Sequence, residues 1–361
     1  MKLLVLAQTP PPLHGQSLMV RTLVEGLPAR GIAVHPVNLR LSRSAADIGR
    51  WRPGKILAVL DACRRAVAAR FFQRCDTLYY VPAPGKRGAL YRDWVVMLLC
   101  RPFFPKLVLH WHAAGLGAWL RDRATAPERW LTRFLLGRAD LAIVLAGALR
   151  PDAEALAAKR IAVVANGIID PGSGSRPARR GDAPTEVLFL GLGDESKGLF
   201  DLAAAVHEAN RLSGVLQFRL TAAGDWPDEG TARRFDRLRK LHPDELTHAG
   251  FVQGEDKERL LRAASCLALP TRYANEGQPL VLLEAMAHDL PVIATNWRGI
   301  PETLPPDASH LVAPGNISTL VSALRELRRT PPPAGTARAH FLSHYTVEQH
   351  LGALAAALLV L

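Results

Sequence analysis

Two glutamates, Glu276 and Glu284, stand eight residues apart in the segment PTRYANEGQPLVLLEAMAHDLPVIATNWRGIPE at 270–302. Turn-forming Gly277, Gln278 and Pro279 follow the first, and the helix-forming run LVLLEAMA encloses the second. That pattern predicts one carboxylate in a loop at a helix N-terminus and another inside the helix. A helix start presents backbone N–H groups without intrahelical partners, here at Gln278, Leu280 and Val281, and these suit an anion such as a diphosphate. Pro279 has no N–H to offer but fits the first helical turn. Eight helical residues rise about 12 Å, well beyond the roughly 5–5.5 Å between the carboxyl groups of a retaining glycoside hydrolase. Hydrolysis by this pair is therefore disfavoured. The remaining use is recognition, in which one ionised carboxylate accepts hydrogen bonds from sugar hydroxyls and the other from ribose hydroxyls.

Three other places could take part. Gly15, in PPPLHGQS, is expected between a first strand and a first helix, where a residue without Cβ lets a phosphate approach the backbone. His14 beside it reads as an ordinary loop histidine. KLVLHWHAAGLG ends a strand with His110 and His112 on one face and Trp111 on the other. His112 is followed by small Ala113, Ala114 and Gly115, which leave room for a ligand, whereas His110 reads as a core histidine. No third ligand at a convincing spacing accompanies this pair, so no metal site is assigned. The chain also contains no Asp-x-Asp pair to hold a divalent cation against a diphosphate.

These residues must be positioned by two α/β layers. Apolar runs LLVLA, IAVHPVNL, TLYYV, KLVLHWH, LAIVL and IAVVA recur in the first half with helical stretches between several of them, the pattern of a doubly wound parallel sheet. DPGSGSRPARRGDAPT interrupts that pattern, and EVLFLGLG restarts it, followed by helical LFDLAAAVHEANRL, strand FRLTAAG, helical TARRFDRLRKL, and strands CLALP and PVIAT. The expected organisation is a Rossmann-like domain at 1–170, a linker at 171–184 and a Rossmann-like domain at 185–345. A final helix at 346–361 is expected to return to the first domain. Two such domains are expected to face a central cleft, with ligands at the carboxyl ends of the strands.

Residues 276–295, with E-x7-E, LLEAMA and PVIAT, resemble the signature of the retaining glycosyltransferases of family 4, also called glycosyl transferases group 1, which have the GT-B fold. A looser likeness runs through the Gly15 loop, the histidine after the strand at 107–109, Asn166-Gly167 and Lys197-Gly198. The resemblance implies acceptor binding by the domain at 1–170 and nucleotide-sugar binding by the domain at 185–345. It also implies that Glu276 binds the hydroxyls of the transferred sugar and Glu284 the nucleotide ribose. Gly277, Gln278, Pro279 and Leu280 would form the turn against sugar and diphosphate, and His112 would lie near the donor sugar. Lys197 would neutralise the leaving diphosphate. Leu192 stands where the family commonly has arginine, and Arg272 is the candidate replacement. The implied activity is metal-independent, cofactor-free transfer of a sugar, with retention, from a nucleotide-diphosphate sugar to a glycan or lipid-linked acceptor. Its implied setting is bacterial surface polysaccharide or lipopolysaccharide synthesis. Two alternatives are a GT-B-like nucleotide-sugar epimerase and a non-catalytic nucleotide-sugar-binding subunit, the latter favoured by Leu192.

Length and charge agree with two domains and add a partner class. The 361 residues suffice for two hydrophobic cores. Of the net charge of +12, residues 1–170 carry +14, from 25 basic and 11 acidic residues, and residues 171–361 carry −2, from 20 and 22. The basic half is expected to face something anionic. Two segments, WRPGKILAVLDACRRAVAARFFQR and LYRDWVVMLLCRPFFPK, combine apolar and basic residues as an interfacial helix does, pointing to docking on an anionic membrane surface. No nucleic-acid motif accompanies the charge, so nucleic acid is not expected. Four scattered cysteines without a CxxC pair fit a reducing cytosol, and the N-terminal apolar run reads as a strand rather than a signal peptide. The expected location is cytoplasmic, extending to peripheral attachment at the inner face of the cytoplasmic membrane.

Overall fold

Strands that are apolar at successive positions must be covered on both faces, and helices between them supply the cover. The computed structural model describes residues 1–39, 53–172 and 183–361. They form two units: Met1–Gly167, Asn275–Gln278 and Val347–Leu361 in the first, Ile168–Ala274 and Pro279–Thr346 in the second. Most of the expected linker, residues 173–182, lies outside the described residues, as does Arg52 of the first basic apolar segment.

In the first unit β1 (Lys2–Ala7), β2 (Ala33–Asn38), β3 (Thr77–Tyr80), β4 (Lys106–His110), β5 (Leu141–Val144) and β6 (Ile161–Val163) form one parallel sheet, in the order β2-β1-β3-β4-β5-β6. Its helices are α1 (Gly15–Gly26), α2 (Pro53–Phe72), α3 (Arg87–Cys100), α4 (Leu116–Asp122), α5 (Ala126–Leu136) and α6 (Arg150–Glu154). Alternation along β4 divides the core. Leu107, Leu109 and Trp111 pack with α2, α3 and α5, while Val108 joins Leu3, Val5 and Leu23 on the opposite face.

The second unit repeats the plan. β7 (Thr185–Leu190), β8 (Phe218–Ala223), β9 (Leu246–His248), β10 (Cys266–Leu269), β11 (Val292–Thr295) and β12 (Ser309–Val312) form a parallel sheet, in the order β12-β11-β10-β7-β8-β9. Its helices are α7 (Leu199–Ser213), α8 (Glu229–Leu241), α9 (Glu255–Ala263), α10 (Leu280–Ala287), α11 (Ile300–Thr303), α12 (Ile317–Arg329) and α13 (Thr336–His344). The last helix, α14 (Val347–Leu359), belongs to the first unit, as the sequence pattern predicts. There Leu351, Leu354 and Leu358 complete the core face formed by Leu3, Val5 and Leu23.

This doubly wound α/β architecture fixes where ligands can approach. The order of strands reverses between β1 and β3 in one sheet and between β7 and β10 in the other. The carboxyl ends of the strands at such a switch point leave a crevice lined by loops. The chain segments leaving β1, β4, β7 and β10 carry the residues singled out from the sequence.

Candidate functional site

In the first unit the segment 275–278 is held against the end of β4. Ala114 N–H donates to the Asn275 carbonyl at 3.2 Å, and Asn275 Nδ2 donates to the Ala114 carbonyl at 2.8 Å. At the other end, Asn166 N–H donates to Gln278 Oε1 at 2.6 Å, and Asn166 Nδ2 donates to the Gln278 carbonyl at 3.3 Å. Between these two clasps sit buried Glu276 and Gly277. A Cβ on Gly277 would come within 2.5 Å of the His112 carbonyl oxygen, so only glycine permits this approach. The structure therefore brings together His112, Glu276, Gly277 and Gln278. Gln278 is not part of the helix turn expected to offer N–H groups: α10 starts at Leu280 with Pro279 as its N-cap. The Gln278 side chain instead fixes Asn166.

His112 is supported from behind. The Asp152 carboxylate accepts from Gly115 N–H and Gly117 N–H, both at 2.7 Å, and so shapes the turn after β4. His110 is buried, hydrogen-bonded through Nδ1 to the Tyr79 hydroxyl, and its ring lies 4.2 Å from that of His112, centroid to centroid. The His350 Nδ1–H donates to the Ala165 carbonyl at 2.6 Å from α14. Burial pushes the His112 imidazole down to about 3, and the nearness of His350 and His14 opposes a further positive charge. Burial also holds His110, His350 and His14 below the ordinary histidine value. The ring of His112 is thus neutral at physiological pH. His14 is more than a loop residue: it caps α1, accepting from Ser17 N–H through Nδ1 while Ser17 Oγ accepts from His14 N–H. Gly15 is the exposed first residue of that helix.

In the second unit, the segments leaving β7 and β10 are tied to one another. Asp194 accepts from Ser196 N–H at 2.6 Å and starts a tight turn over Glu195–Lys197. Gly198 then takes φ +80°, with Pro270 so close that a Cβ would lie 2.2 Å from its carbonyl oxygen. Arg272 N–H donates to the Ser196 carbonyl at 2.7 Å. Lys197 Nζ is held 4.8 Å from the centroid of the Tyr273 ring. Arg272 pairs with Asp201 at 2.5 Å and Glu195 at 3.6 Å, so its guanidinium already has two carboxylate partners. Leu192 is exposed at the same turn.

Pro279, Leu280 and Val281 form the start of α10, and Glu284 lies one turn further along. Lys257 of α9 donates to Glu284 Oε1 at 2.6 Å. Glu284 Oε2 is buried without a partner among the described residues, an acceptor left open in an otherwise paired carboxylate. Sequence reasoning missed Lys257, Asn275, Tyr273 and Asp152, because none stands in a recognisable spacing with the groups it holds.

Residues 184–330 match the model of the family described as glycosyl transferases group 1. Residues 184–330 are therefore similar to that family, and the matched stretch contains Lys197, Arg272, Glu276 and Glu284. Among curated relatives, the chain is 27% identical over 162 residues to the putative colanic acid biosynthesis glycosyltransferase WcaL of Escherichia coli (strain K12), an alignment covering 44% of this chain and 39% of that protein. The chain thus spans about two fifths of that relative's length. Among solved structures, sucrose-phosphate synthase from Thermosynechococcus elongatus superposes with a TM-score of 0.75 at 19% identity, covering 100% of each chain. Anabaena Alr3699/HepE, solved in complex with UDP, superposes with a TM-score of 0.72 at 17% identity, again over 100% of each chain. Such likeness shows a shared GT-B fold.

Proposed function

We propose that the protein transfers a sugar from a nucleoside-diphosphate sugar to a glycan or lipid-linked acceptor in bacterial surface polysaccharide synthesis. The observation that carries this reading is the double clasp at 275–278, which fixes buried Glu276 beside the neutral His112. The naming of the Escherichia coli relative for colanic acid synthesis, and the UDP held by HepE, support the setting and the donor class. The matched relatives are named as transferases and synthases, and neither the epimerase nor the non-catalytic subunit is favoured.

In this reading the stretch matched at 184–330 holds the donor. Glu284 accepts from the ribose hydroxyls through the oxygen that Lys257 leaves open. Lys197, Gly15 and the N–H groups at Leu280 and Val281 meet the diphosphate, and Lys197 offsets the charge that grows on it as the sugar leaves. Glu276 accepts from the sugar hydroxyls, and His112 hydrogen-bonds to sugar or acceptor. The incoming acceptor hydroxyl passes its proton to the departing diphosphate while its oxygen bonds to the anomeric carbon on the face the diphosphate vacates, giving retention. No metal and no cofactor are needed, because Lys197 and the helix amides carry the electrostatic load. Family 4 is the assignment this chemistry fits. The test is Glu276→Gln: transfer is lost while the thermal unfolding midpoint is kept, and unchanged turnover overturns the assignment.

A surface observation supports peripheral attachment to the cytoplasmic face of the membrane. On the first unit α3 packs between α2 and α5, and outward from this layer point Leu57, Phe72, Leu98 and Phe103 together with stacked Trp130 and Phe134, each of the last two 65% exposed. Arg101, Arg133 and Arg138 line one surface concavity with Trp130 and Phe134, and Arg70 donates to the Phe103 carbonyl, so cationic groups stand beside exposed apolar ones. The fitting occupant of this face is an anionic lipid bilayer. No described helix is long and apolar enough to cross a membrane. Flotation with vesicles containing phosphatidylglycerol checks this attachment, with Trp130→Ser/Phe134→Ser expected to stay at the bottom of the gradient. Equal flotation of that variant, or none by the native protein at low salt, contradicts it.

A further inference from the structure

His207, His242 and Glu245 converge in the second unit, away from the segments that carry the donor residues. One nitrogen of each imidazole and one oxygen of the carboxylate all lie within 4.8 Å of one another. His207 Nδ1 is 3.0 Å from Glu245 Oε2, and His242 Nδ1 is 3.9 Å from the same oxygen. The two rings lie 4.1 Å apart, centroid to centroid. Ligands at about 2.0–2.1 Å from a tetrahedral zinc ion stand about 3.3 Å apart, so small side-chain rotations bring these three atoms to that spacing.

The backbone presents the set ready-made. His242 ends α8, and its carbonyl accepts from both Glu245 N–H and Leu246 N–H at 3.1 Å, closing the turn that aims His242 and Glu245 at one point. His207 reaches it from α7. All three side chains are partly exposed, leaving an entry path and room for a water in a fourth position. We propose that His207, His242 and Glu245 form a binding site for one zinc-class divalent transition-metal ion. Two imidazoles and one carboxylate suit zinc, nickel or copper, whereas magnesium and calcium take sets of oxygen ligands.

Topology assigns the ion a structural role. Glu245 immediately precedes β9 and therefore lies at the amino end of that strand, while the donor residues follow the carboxyl ends of β7 and β10. The ion would cross-link α7, the end of α8 and the edge strand β9. Edge strand β9 is only three residues long, and a cross-link holds such an edge in place. This inference is independent of the transfer reading.

The experiment is calorimetric titration of tag-free, EDTA-treated protein with zinc chloride and, separately, magnesium chloride. The native chain is expected to bind one equivalent of zinc and no magnesium at this site, with a zinc-dependent rise in its unfolding midpoint. His242→Ala and Glu245→Gln are each expected to weaken that binding at least about tenfold and abolish the rise. His207→Gln, which keeps a polar side chain on a helix, serves if His242→Ala fails to fold. Sugar-nucleotide binding is expected to be the same in all variants. Zinc binding that is absent from the native chain, or equal in native and variants, overturns the proposal.

Discussion

Replacing Gly277 by alanine tests the geometry of the first-unit clasp. The added Cβ would sit 2.5 Å from the His112 carbonyl oxygen, and reaching an ordinary contact of 3.4 Å requires a displacement of about 0.9 Å. The obstacle is backbone and cannot rotate away. Nor can the segment slide freely, because Asn275 and Gln278 clasp it on both sides at 2.8 and 2.6 Å. Overpacking of this kind costs about 1–3 kcal/mol. At about 2 kcal/mol the unfolding midpoint of a unit this size falls by about 4–8 °C. Misplacing a substrate-holding group by about 1 Å lowers turnover about 100-fold. Gly277→Ala is therefore expected to remain folded at room temperature, to bind nucleoside diphosphate as the native protein does, and to lose about two orders of magnitude in transfer. Calorimetry and a nucleoside-diphosphate release assay read these quantities. Full transfer by Gly277→Ala would refute the claim that the position of Glu276 relative to His112 matters.

Glu284→Gln is expected to weaken nucleoside-diphosphate binding about tenfold, the cost of turning a charged hydrogen-bond acceptor into an amide, and titration calorimetry checks it. Lys257→Met is expected to weaken the same binding by a smaller factor, through loss of carboxylate alignment alone, and an effect larger than that of Glu284→Gln would contradict the ribose role. Leu192→Arg is expected to restore a second cation at the β7 turn and tighten diphosphate binding, while Arg272→Ala, whose guanidinium is occupied by Asp201 and Glu195, is expected to loosen the turn and lower the unfolding midpoint. Histidine in the unfolded chain takes up its proton near pH 6.5, whereas His112 does so only near 3. The unfolded state therefore binds more protons, so the stability tied to His112 is full above about pH 7 and is lost as pH falls from about 6.5 toward 3. His112→Gln is expected to flatten the fall of the unfolding midpoint between pH 7.5 and pH 5, and an unchanged slope would contradict burial of a neutral ring.

Much of this arrangement was legible because it is written in local pattern. β1, β3, β4, β5, β7, β10 and β11 are apolar runs, and helix α10 follows a Gly-Gln-Pro turn, so Glu276 and Glu284 were separable into loop and helix from spacing alone. β9 and β12 escaped notice, since LTH and SHLV are short edge strands, each with one fully buried residue. His14 reads as a loop histidine in sequence because a capping box is normally led by Ser, Thr, Asp or Asn. Gln278 is expected among the free N–H groups because Pro279 fits a first helical turn, whereas Pro279 is the cap and α10 starts at Leu280. The pairings Lys257–Glu284, Asn275–Ala114 and Asp152–Gly115 join residues far apart in sequence, and no periodicity encodes them. Leu57, Leu98, Trp130 and Phe134 show the same limit, since only the packed helices reveal which apolar side chains are left outside.

The central claim is sugar transfer from a nucleoside-diphosphate donor through Glu276. Its most direct test is nucleoside-diphosphate release by native protein and Glu276→Gln with UDP-glucose and GDP-mannose, in the presence of EDTA and of lipid-linked glycan extracted from bacterial membranes. Acceptor-dependent release by the native protein with one donor, persisting in EDTA and lost in a folded Glu276→Gln, is the predicted result. Equal release by both proteins, or none by a folded native protein with either donor, would contradict the account.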